Sequence, residues 1–162
     1  MKILVLNVGS STIKYQLFNM DYETVLNKGL LEKIGTETSV LKHKTTDKSE
    51  IIINSHISDH AKGIDLILKT LVDSVYGSIE DLNEIEAVGH RVVHGGEHFS
   101  QSTIIDDNVK KAISRCCDLA PLHNPPNLIG IEACQARMSP IKHAAVFDTA
   151  FHQSMKPESD LY

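Results

Sequence analysis

Residues 3–17 read ILVLNVGSSTIKYQL. Residues 3–6 form a continuous apolar run bounded by polar positions, which is typical of a central strand covered on both faces. After a turn-forming Gly-Ser cluster, residues 13–17 alternate apolar and polar side chains, as a second strand does. The segment therefore predicts a hairpin whose first strand lies at the centre of a sheet.

Five further segments have strand character. Residues 25–34 predict a third strand, and weaker strands are predicted at 39–45 and 50–57, on either side of a polar turn. Apolar runs at 85–93 and 144–147 predict two buried strands later in the chain.

Three segments have the apolar spacing of helices. The first carries apolar positions within 64–75 and follows Ser58 and Asp59, either of which can cap its N-terminus. The second follows the acidic pair 106–107, and the third is expected to begin near Asn127, after a Pro-Pro pair. Strands first, then helices alternating with strands, predict an α/β fold with a mixed central sheet flanked by helices. Its first three strands are expected to be antiparallel and its later ones parallel.

The composition is that of one ordinary globular domain. The chain has 162 residues, of which 41% are hydrophobic and 23% charged, so it is long enough for a single core and too apolar to be disordered. The formal net charge is −5 and no run of Lys or Arg exceeds two residues, which argues against an electrostatically driven nucleic-acid binder. We expect small-molecule chemistry instead.

Nothing in the sequence points to a membrane or to secretion. No apolar run approaches the roughly 18 residues of a membrane span, and a short strand-like segment stands where a signal peptide has its apolar core. The three cysteines have no paired spacing, which argues against a disulfide framework or a zinc ribbon. We expect a cytoplasmic protein with neither membrane nor nucleic-acid partners.

The three most apolar runs each carry, at or near the end, a polar residue suited to phosphate or metal chemistry: Asn7 after the first, Arg91 within the end of the second and Asp148 after the third. Because ligands collect at the carboxyl ends of strands in open α/β sheets, we expect these residues to converge on one cleft. A buried Arg91 requires an anion, either a ligand or a structural carboxylate, and the residues alone favour neither. Asp148 fits either a Mg²⁺ ligand or the cap of a following loop.

The turn at residues 7–14, NVGSSTIK, carries the glycine, hydroxyl groups and lysine that phosphate binding uses. It is not a P-loop, because a second glycine and the Gly-Lys-Ser/Thr ending are absent and a strand follows instead of a helix. From composition alone, an ordinary Ser/Gly hairpin turn is the more common structure.

Apolar and histidine residues near the arginine allow further interpretations. Val93 and Leu122 either wall a small apolar pocket or are plain core residues. His90, His94 and His98 have the i, i+4 spacing of metal ligands on a helix, but this segment has the pattern of a strand and a glycine turn. We therefore do not expect a metal site there.

Four longer motifs point to a known family. Residues 7–15 (NVGSSTIKY), 89–97 (GHRVVHGGE), 120–127 (APLHNPPN) and 146–152 (VFDTAFH) closely resemble, in this order, the N-terminal half of the acetate kinase family. The resemblance covers essentially the whole chain. It implies a ribonuclease H-like, actin-like ATPase domain, the fold of the superfamily that contains acetate and sugar kinases, Hsp70 and actin.

The resemblance also implies a chemistry and a set of residues. Members of the family transfer the γ-phosphoryl group of ATP reversibly to acetate, giving acetyl phosphate and ADP, and they use Mg²⁺. By motif match, the implied residues are Arg91 and Asp148 for catalysis; Arg91, Val93 and Leu122 for the acyl substrate; Asn7, Ser10, Ser11, Thr12 and Lys14 for the phosphate and nucleotide side; and Asn7 and Asp148, directly or through water, for the metal. Thr12 stands where the family often has serine, and it keeps the hydroxyl group.

The domain organisation follows from the same resemblance. Residues 1–150 are expected to be the N-terminal lobe that binds the acyl substrate, and residues 151–162 the truncated start of a second lobe or an interdomain segment. In the family the second lobe supplies the glycine-rich nucleotide-binding segment. We therefore expect the chain to be inactive alone and its parent to be a homodimer.

Two alternatives to acetate stay open. The parent is a propionate or other short-chain acyl kinase, against which Val93 argues weakly because a larger side chain there leaves less room for an extra methylene. Otherwise the chain is a non-catalytic domain that binds phosphate or an acyl phosphate.

Overall fold

The computed structural model describes residues 1–92, 103–115 and 124–147. In these residues eight strands form one sheet. The strands are β1 (Lys2–Val8), β2 (Ile13–Asn19), β3 (Thr24–Glu32), β4 (Val40–Thr45), β5 (Ile51–Asn54), β6 (Ile85–Val92), β7 (Thr103–Ile104) and β8 (Lys142–Phe147). Their order is β5-β4-β3-β2-β1-β6-β8-β7, which places β1 inside the sheet, between β2 and β6.

The sheet is mixed, with antiparallel pairs among the early strands and parallel pairs among later ones, as predicted in outline. Antiparallel pairs join β1 to β5 in sequence, including the two strands that were weakly predicted, and parallel pairs add β6 and β8. The prediction that the strands after the third are parallel is wrong for β4 and β5, and also for β7, a two-residue strand that pairs antiparallel with β8 at the edge. Two residues are too few to show a period-two pattern, and an antiparallel edge strand is common on a parallel sheet.

Three α-helices lie in the described part of the chain: α1 (His60–Leu71), α2 (Asp107–Arg115) and α3 (Asn124–Arg137), and a short 3-10 helix (Leu82–Glu84) precedes β6. The predicted cap of α1 is confirmed for Asp59, whose carboxylate accepts a hydrogen bond from the Lys62 amide at 2.9 Å. The helix ends at Leu71, and Val75, which was predicted to belong to it, lies outside it with an exposed side chain. Within the described ranges no helix is long and apolar enough to cross a membrane.

The start of α3 differs from the prediction. The helix begins at Asn124 rather than near Asn127, and both prolines lie in its first turn. Proline fits there because the first amides of a helix have no acceptor within the helix and the ring holds φ near its helical value. The Pro-Pro pair is therefore part of the helix and does not precede it.

The three helices pack on one face of the sheet. The β1–β6 register places Leu4 beside Val88 and Leu6 beside His90, so these buried side chains share a face. Helices α1 and α3 complete the core over β1 to β6, and α2 packs with α3 over the ends of β6 and β8. The alternate positions of β1, on the opposite face, are only partly buried. The expectation that this strand is covered on both faces is therefore wrong for the described residues, because an apolar run does not show what covers it.

A hydrogen-bonded chain crosses the core beside a glycine. Tyr15, Gly29 and His43 are neighbours on β2, β3 and β4, and a Cβ atom on Gly29 would lie 2.2 Å from the Tyr15 ring. Thr45 donates its hydroxyl hydrogen to the Tyr76 carbonyl at 2.6 Å, so it accepts from His43 Nε2 at 3.1 Å. Nδ1 of His43 then accepts from the Tyr15 hydroxyl at 2.5 Å. Burial raises the pKa of Tyr15 and lowers the pKa of His43, which keeps both groups neutral.

The close approach of Gly29 to the Tyr15 ring leads to a testable prediction. We expect Gly29→Ala to lower the free energy of unfolding by about 1–3 kcal/mol, because the new methyl group overlaps the aromatic ring. Gly89→Ala is the matched control, since its Cβ would lie 3.7 Å from the nearest atom, Val5 Cγ2. Urea unfolding of both variants measures the difference. Equal losses in the two would contradict the overlap.

Candidate functional site

Asn7 and Arg91 lie at neighbouring positions near the carboxyl ends of the central strands β1 and β6. The last pair in the β1–β6 register is Leu6 with His90, and the two predicted site residues each follow it by one position. Because β1, β6 and β8 run parallel, their carboxyl ends face the same way. Asn7 and Arg91 therefore occupy neighbouring positions at this end of the sheet, and their convergence on one cleft stays a prediction. Asp148, the third predicted residue, lies outside the described residues.

Lys14 extends this arrangement on the other side of β1. It pairs with Asn7 in the antiparallel β1–β2 register, so their side chains share a face. That face is opposite the helices, because Asn7 alternates with the buried Leu6 and Val8. Arg91 alternates in the same way with buried residues of β6 and is itself half-buried. Lys14, Asn7 and Arg91 thus form a row across three neighbouring strands, with a cation on each side of an amide.

Both interpretations of Arg91, as a group that binds an anionic ligand and as the partner of a structural carboxylate, stay open. The residue has at least one interaction within the protein. A guanidinium group can keep such contacts and still present further N–H donors to a ligand. The position at the strand end, beside Asn7, is therefore the informative observation.

The turn between β1 and β2 carries the predicted hydroxyl groups. The Gly9 amide donates to the Thr12 carbonyl at 2.8 Å and closes the turn. A Cβ atom on Gly9 would lie 2.8 Å from Thr12 Oγ1, so this glycine is required by a close approach and not by a left-handed backbone. Ser10 and Ser11 are exposed at the tip, next to the row described above.

Two residues that the sequence analysis did not select as site residues contact this turn. His60, the first residue of α1, donates from Nε2 to the Gly9 carbonyl at 2.7 Å. Asn127 of α3 donates from Nδ2 to the Val8 carbonyl at 2.8 Å. These partners are 51 and 119 residues apart in the chain, and no spacing in the sequence reveals such contacts.

A buried histidine pair lies beneath the parallel strands. His143 Nε2 donates to the Met138 carbonyl at 3.1 Å, so its Nδ1 accepts from His90 Nε2 at 3.0 Å. Burial lowers the pKa of His90 to about 3, and the neighbouring His143 acts in the same direction. The pKa of His143 is also lowered by burial. Both rings are therefore neutral at pH 7 and act as structural groups under Arg91.

The described residues offer little for a metal. No group of three or more His, Cys, Asp or Glu side chains in residues 1–92, 103–115 and 124–147 has a metal-binding arrangement. Of the two predicted Mg²⁺ ligands only Asn7 is described, and one amide oxygen does not make a magnesium site.

Three of the predicted site residues belong to segments outside the described ranges. Val93, Leu122 and Asp148 lie outside the described residues, as do His94 and His98.

Comparison with known proteins identifies the family of this chain. A sequence model described as the acetokinase family matches residues 2–162. The chain belongs to the acetokinase family. The match covers both described site strands, β1 and β6, and the turn between β1 and β2.

Relatives of this acetokinase-family chain are longer. It is 52% identical over all 162 residues to an acetate kinase of Syntrophomonas wolfei and 54% identical to one of Clostridium botulinum (strain Loch Maree). In both cases it spans 41% of the length of the relative.

Solved structures of the family share this architecture. The acetate kinase of Porphyromonas gingivalis superposes with a TM-score of 0.89 at 42% identity, over 99% of this chain and 40% of that protein. A propionate kinase of Francisella tularensis gives 0.83 at 37% identity, again over 99% and 40%. The predicted actin-like ATPase fold is thereby confirmed.

The buried His90 predicts an acid-sensitive fold. Its folded pKa of about 3 lies below the usual value of 6.5, so between these values the unfolded chain binds more protons. Stability is therefore lost as pH falls through 6.5, by about 2 kcal/mol between pH 7 and pH 5 from this group. Urea unfolding at the two pH values measures the loss.

His90→Gln is expected to show a smaller loss between pH 7 and pH 5, whatever its stability at pH 7. The matched control is His56→Gln, which removes an exposed imidazole and should keep the wild-type loss. A wild-type loss in the His90 variant would show that other groups cause the acid sensitivity.

Proposed function

We propose that this chain is the N-terminal lobe of an acetate kinase, with residues 1–150 forming the acyl-substrate side of the site. The parent enzyme transfers the γ-phosphoryl group of ATP reversibly to acetate, giving acetyl phosphate and ADP. The observation that carries the proposal is the row of Lys14, Asn7 and Arg91 beside a Gly-Ser-Ser-Thr turn. Family membership and the named acetate kinases among its relatives support it.

The reaction needs little covalent work from the protein. An acetate oxygen is already ionised at neutral pH, so it attacks the γ-phosphorus without a general base. The new bond joins that oxygen to phosphorus, and the bond to the β–γ bridging oxygen breaks to release ADP. Such transfers are catalysed mainly by alignment and by neutralisation of charge on the phosphoryl oxygens. A row of cations next to polar donors supplies both.

The described residues take separate roles in this scheme. Arg91 holds the acetate carboxylate and meets charge on the transferring phosphoryl group, since its planar fork can contact two oxygens at once. Lys14 and the hydroxyl groups of Ser10, Ser11 and Thr12 face the phosphate side. The Asn7 amide, between the two cations, orients the same oxygens.

The remaining assignments rest on the motif match. Asp148 would hold Mg²⁺ together with Asn7 and help to place the nucleophile, and Val93 and Leu122 would contact the acetate methyl group. When bound, Mg²⁺ neutralises charge on the phosphate oxygens. Residues 151–162 would begin the second lobe, which completes the ATP site. Inactivity of the isolated chain, a homodimeric parent and a cytoplasmic location stay predictions.

A short-chain acyl kinase with another preference is the second candidate. The observation that favours it is the superposition with the propionate kinase of Francisella tularensis, which is nearly as close as that with an acetate kinase. Acetate and propionate differ by one methylene, which a pocket discriminates by only about 1–3 kcal/mol. The two activities are therefore relative preferences of one site.

In the parent enzyme we expect Arg91→Ala to lower turnover by about 10² or more, because charge in the transition state loses its principal donor. Arg91→Lys should recover little, since an ammonium group does not reproduce a two-pronged contact. Arg115→Ala is the matched control, an exposed arginine at the end of α2. Acetyl phosphate is measured by trapping with hydroxylamine. Similar losses for Arg91→Ala and the control, with folding intact, would refute the role of Arg91.

Substrate preference tests the proposed methyl pocket. Val93→Ala in the parent is expected to raise the propionate-to-acetate ratio of kcat/KM by roughly 10-fold, because two methyl groups are removed from the pocket wall. Acetate turnover should survive, since the carboxylate contacts belong to Arg91. The measurement is kcat/KM for both acids in wild type and variant. An unchanged ratio would assign Val93 to the core.

A further inference from the structure

Two helices hold successive carbonyl groups at the end of β1. The Val8 carbonyl accepts from Asn127 Nδ2 at 2.8 Å, and the Gly9 carbonyl accepts from His60 Nε2 at 2.7 Å. A carbonyl oxygen only accepts, so Nε2 of His60 carries a proton and the NH₂ group of Asn127 faces the strand. Each donor comes from a different helix, α1 or α3.

The packing around these bonds fixes the position of α3. Asn127 is 4% exposed, and the hydrogen bond from its side-chain amide to the Val8 carbonyl is buried. Gly130, one turn further along the helix, lies so close to β1 that a Cβ atom there would be 2.6 Å from Val8 Cγ2. The helix backbone therefore rests directly on the strand, and the Asn127 side chain has little freedom to move away from its acceptor.

Two further carbonyls of the turn also accept hydrogen bonds from backbone amides. The Ser11 carbonyl accepts from the Ile34 amide at 3.0 Å, and the Thr12 carbonyl accepts from the Gly9 amide at 2.8 Å. With the two bonds from the helices, the carbonyl groups of residues 8, 9, 11 and 12 all have donors among the described residues. Hydrogen bonds within the protein therefore hold the carbonyl groups of Val8, Gly9, Ser11 and Thr12 in place.

We propose that His60 and Asn127 are positioning residues for phosphoryl transfer, which hold the turn at residues 9–12 in the orientation that accepts a phosphate. This inference rests on the proposed function. Anion-binding turns work by presenting backbone N–H groups and hydroxyl hydrogens while carbonyl oxygens point elsewhere. A carbonyl that rotates outward would repel the phosphate and displace the hydroxyl groups. Neither side chain contacts the reacting atoms, so their effect passes through the turn.

The chemistry of the two bonds selects the variants. His60→Leu removes the donor, whereas His60→Gln keeps an N–H group that can reach the same carbonyl. Asn127→Asp keeps the shape but replaces the donor by an acceptor, which repels the Val8 carbonyl. The matched control is His56→Leu, because His56 also bonds a backbone carbonyl, that of Thr36 at 2.8 Å, away from the turn.

The experiment is steady-state kinetics of the parent enzyme carrying these variants, with ATP and acetate varied separately. We expect His60→Leu and Asn127→Asp to lower kcat by about 10-fold or more, since small displacements of positioning groups have large effects on rate. KM for acetate should change by less than about twofold, because Arg91 is untouched. His60→Gln should recover most of the rate, and His56→Leu should resemble wild type. Circular dichroism and urea unfolding verify that each variant is folded.

Four results would overturn the inference. They are a folded His60→Leu variant with wild-type kcat, an equal loss in His56→Leu, a loss that appears only in KM for acetate, and a failure of His60→Gln to recover activity. An unaltered parent without acetate-dependent turnover would instead refute the proposed function. Hydrogen exchange of the amides at 9–12 then decides the positioning role alone, which requires faster exchange in His60→Leu than in His60→Gln and wild type.

Discussion

The parallel pairing of β1 with β6 is the constraint on which the site depends. Its register sets Leu6 beside His90, and both side chains are buried under the helices. A shift by one residue would turn these side chains to the other face, so burial of the core holds the register. Asn7 and Arg91, one position further along each strand, are consequently neighbours. Their proximity is a by-product of how the core packs.

The two faces of the sheet carry different kinds of polar group. Polar groups on the helix face are buried in neutral hydrogen-bonded sets, such as Tyr15 with His43 and His90 with His143. Charged groups there would lose hydration without compensation. Lys14 of β2 and the lysines of β3 and β4 lie on the opposite face. Under the proposed function, an anionic substrate at the carboxyl ends of the strands would meet positive charge that the core could not hold.

Much of the fold was predictable because its signals are local. The hairpin of β1 and β2 follows from alternation around the Gly-Ser turn, and the start of α1 follows from the Asp59 cap. The extent of α1 and the start of α3 were less accessible. Val75 continues the apolar spacing although the helix has ended, and Pro125 occupies a helical turn that its chemistry merely permits. The strand β7 has only two residues and is defined by its partner alone.

The sequence by itself determined where polar side chains suited to phosphate chemistry stand, because Asn7 and the Gly-Ser turn follow the first apolar run and Arg91 lies near the end of a later one. It also determined that they belong at strand ends, where open sheets place their ligands. Only the tertiary structure decided what holds them. His60 and Asn127 reach the turn from 51 and 119 residues away. Such partners depend on how the helices pack on the sheet, which no local pattern encodes.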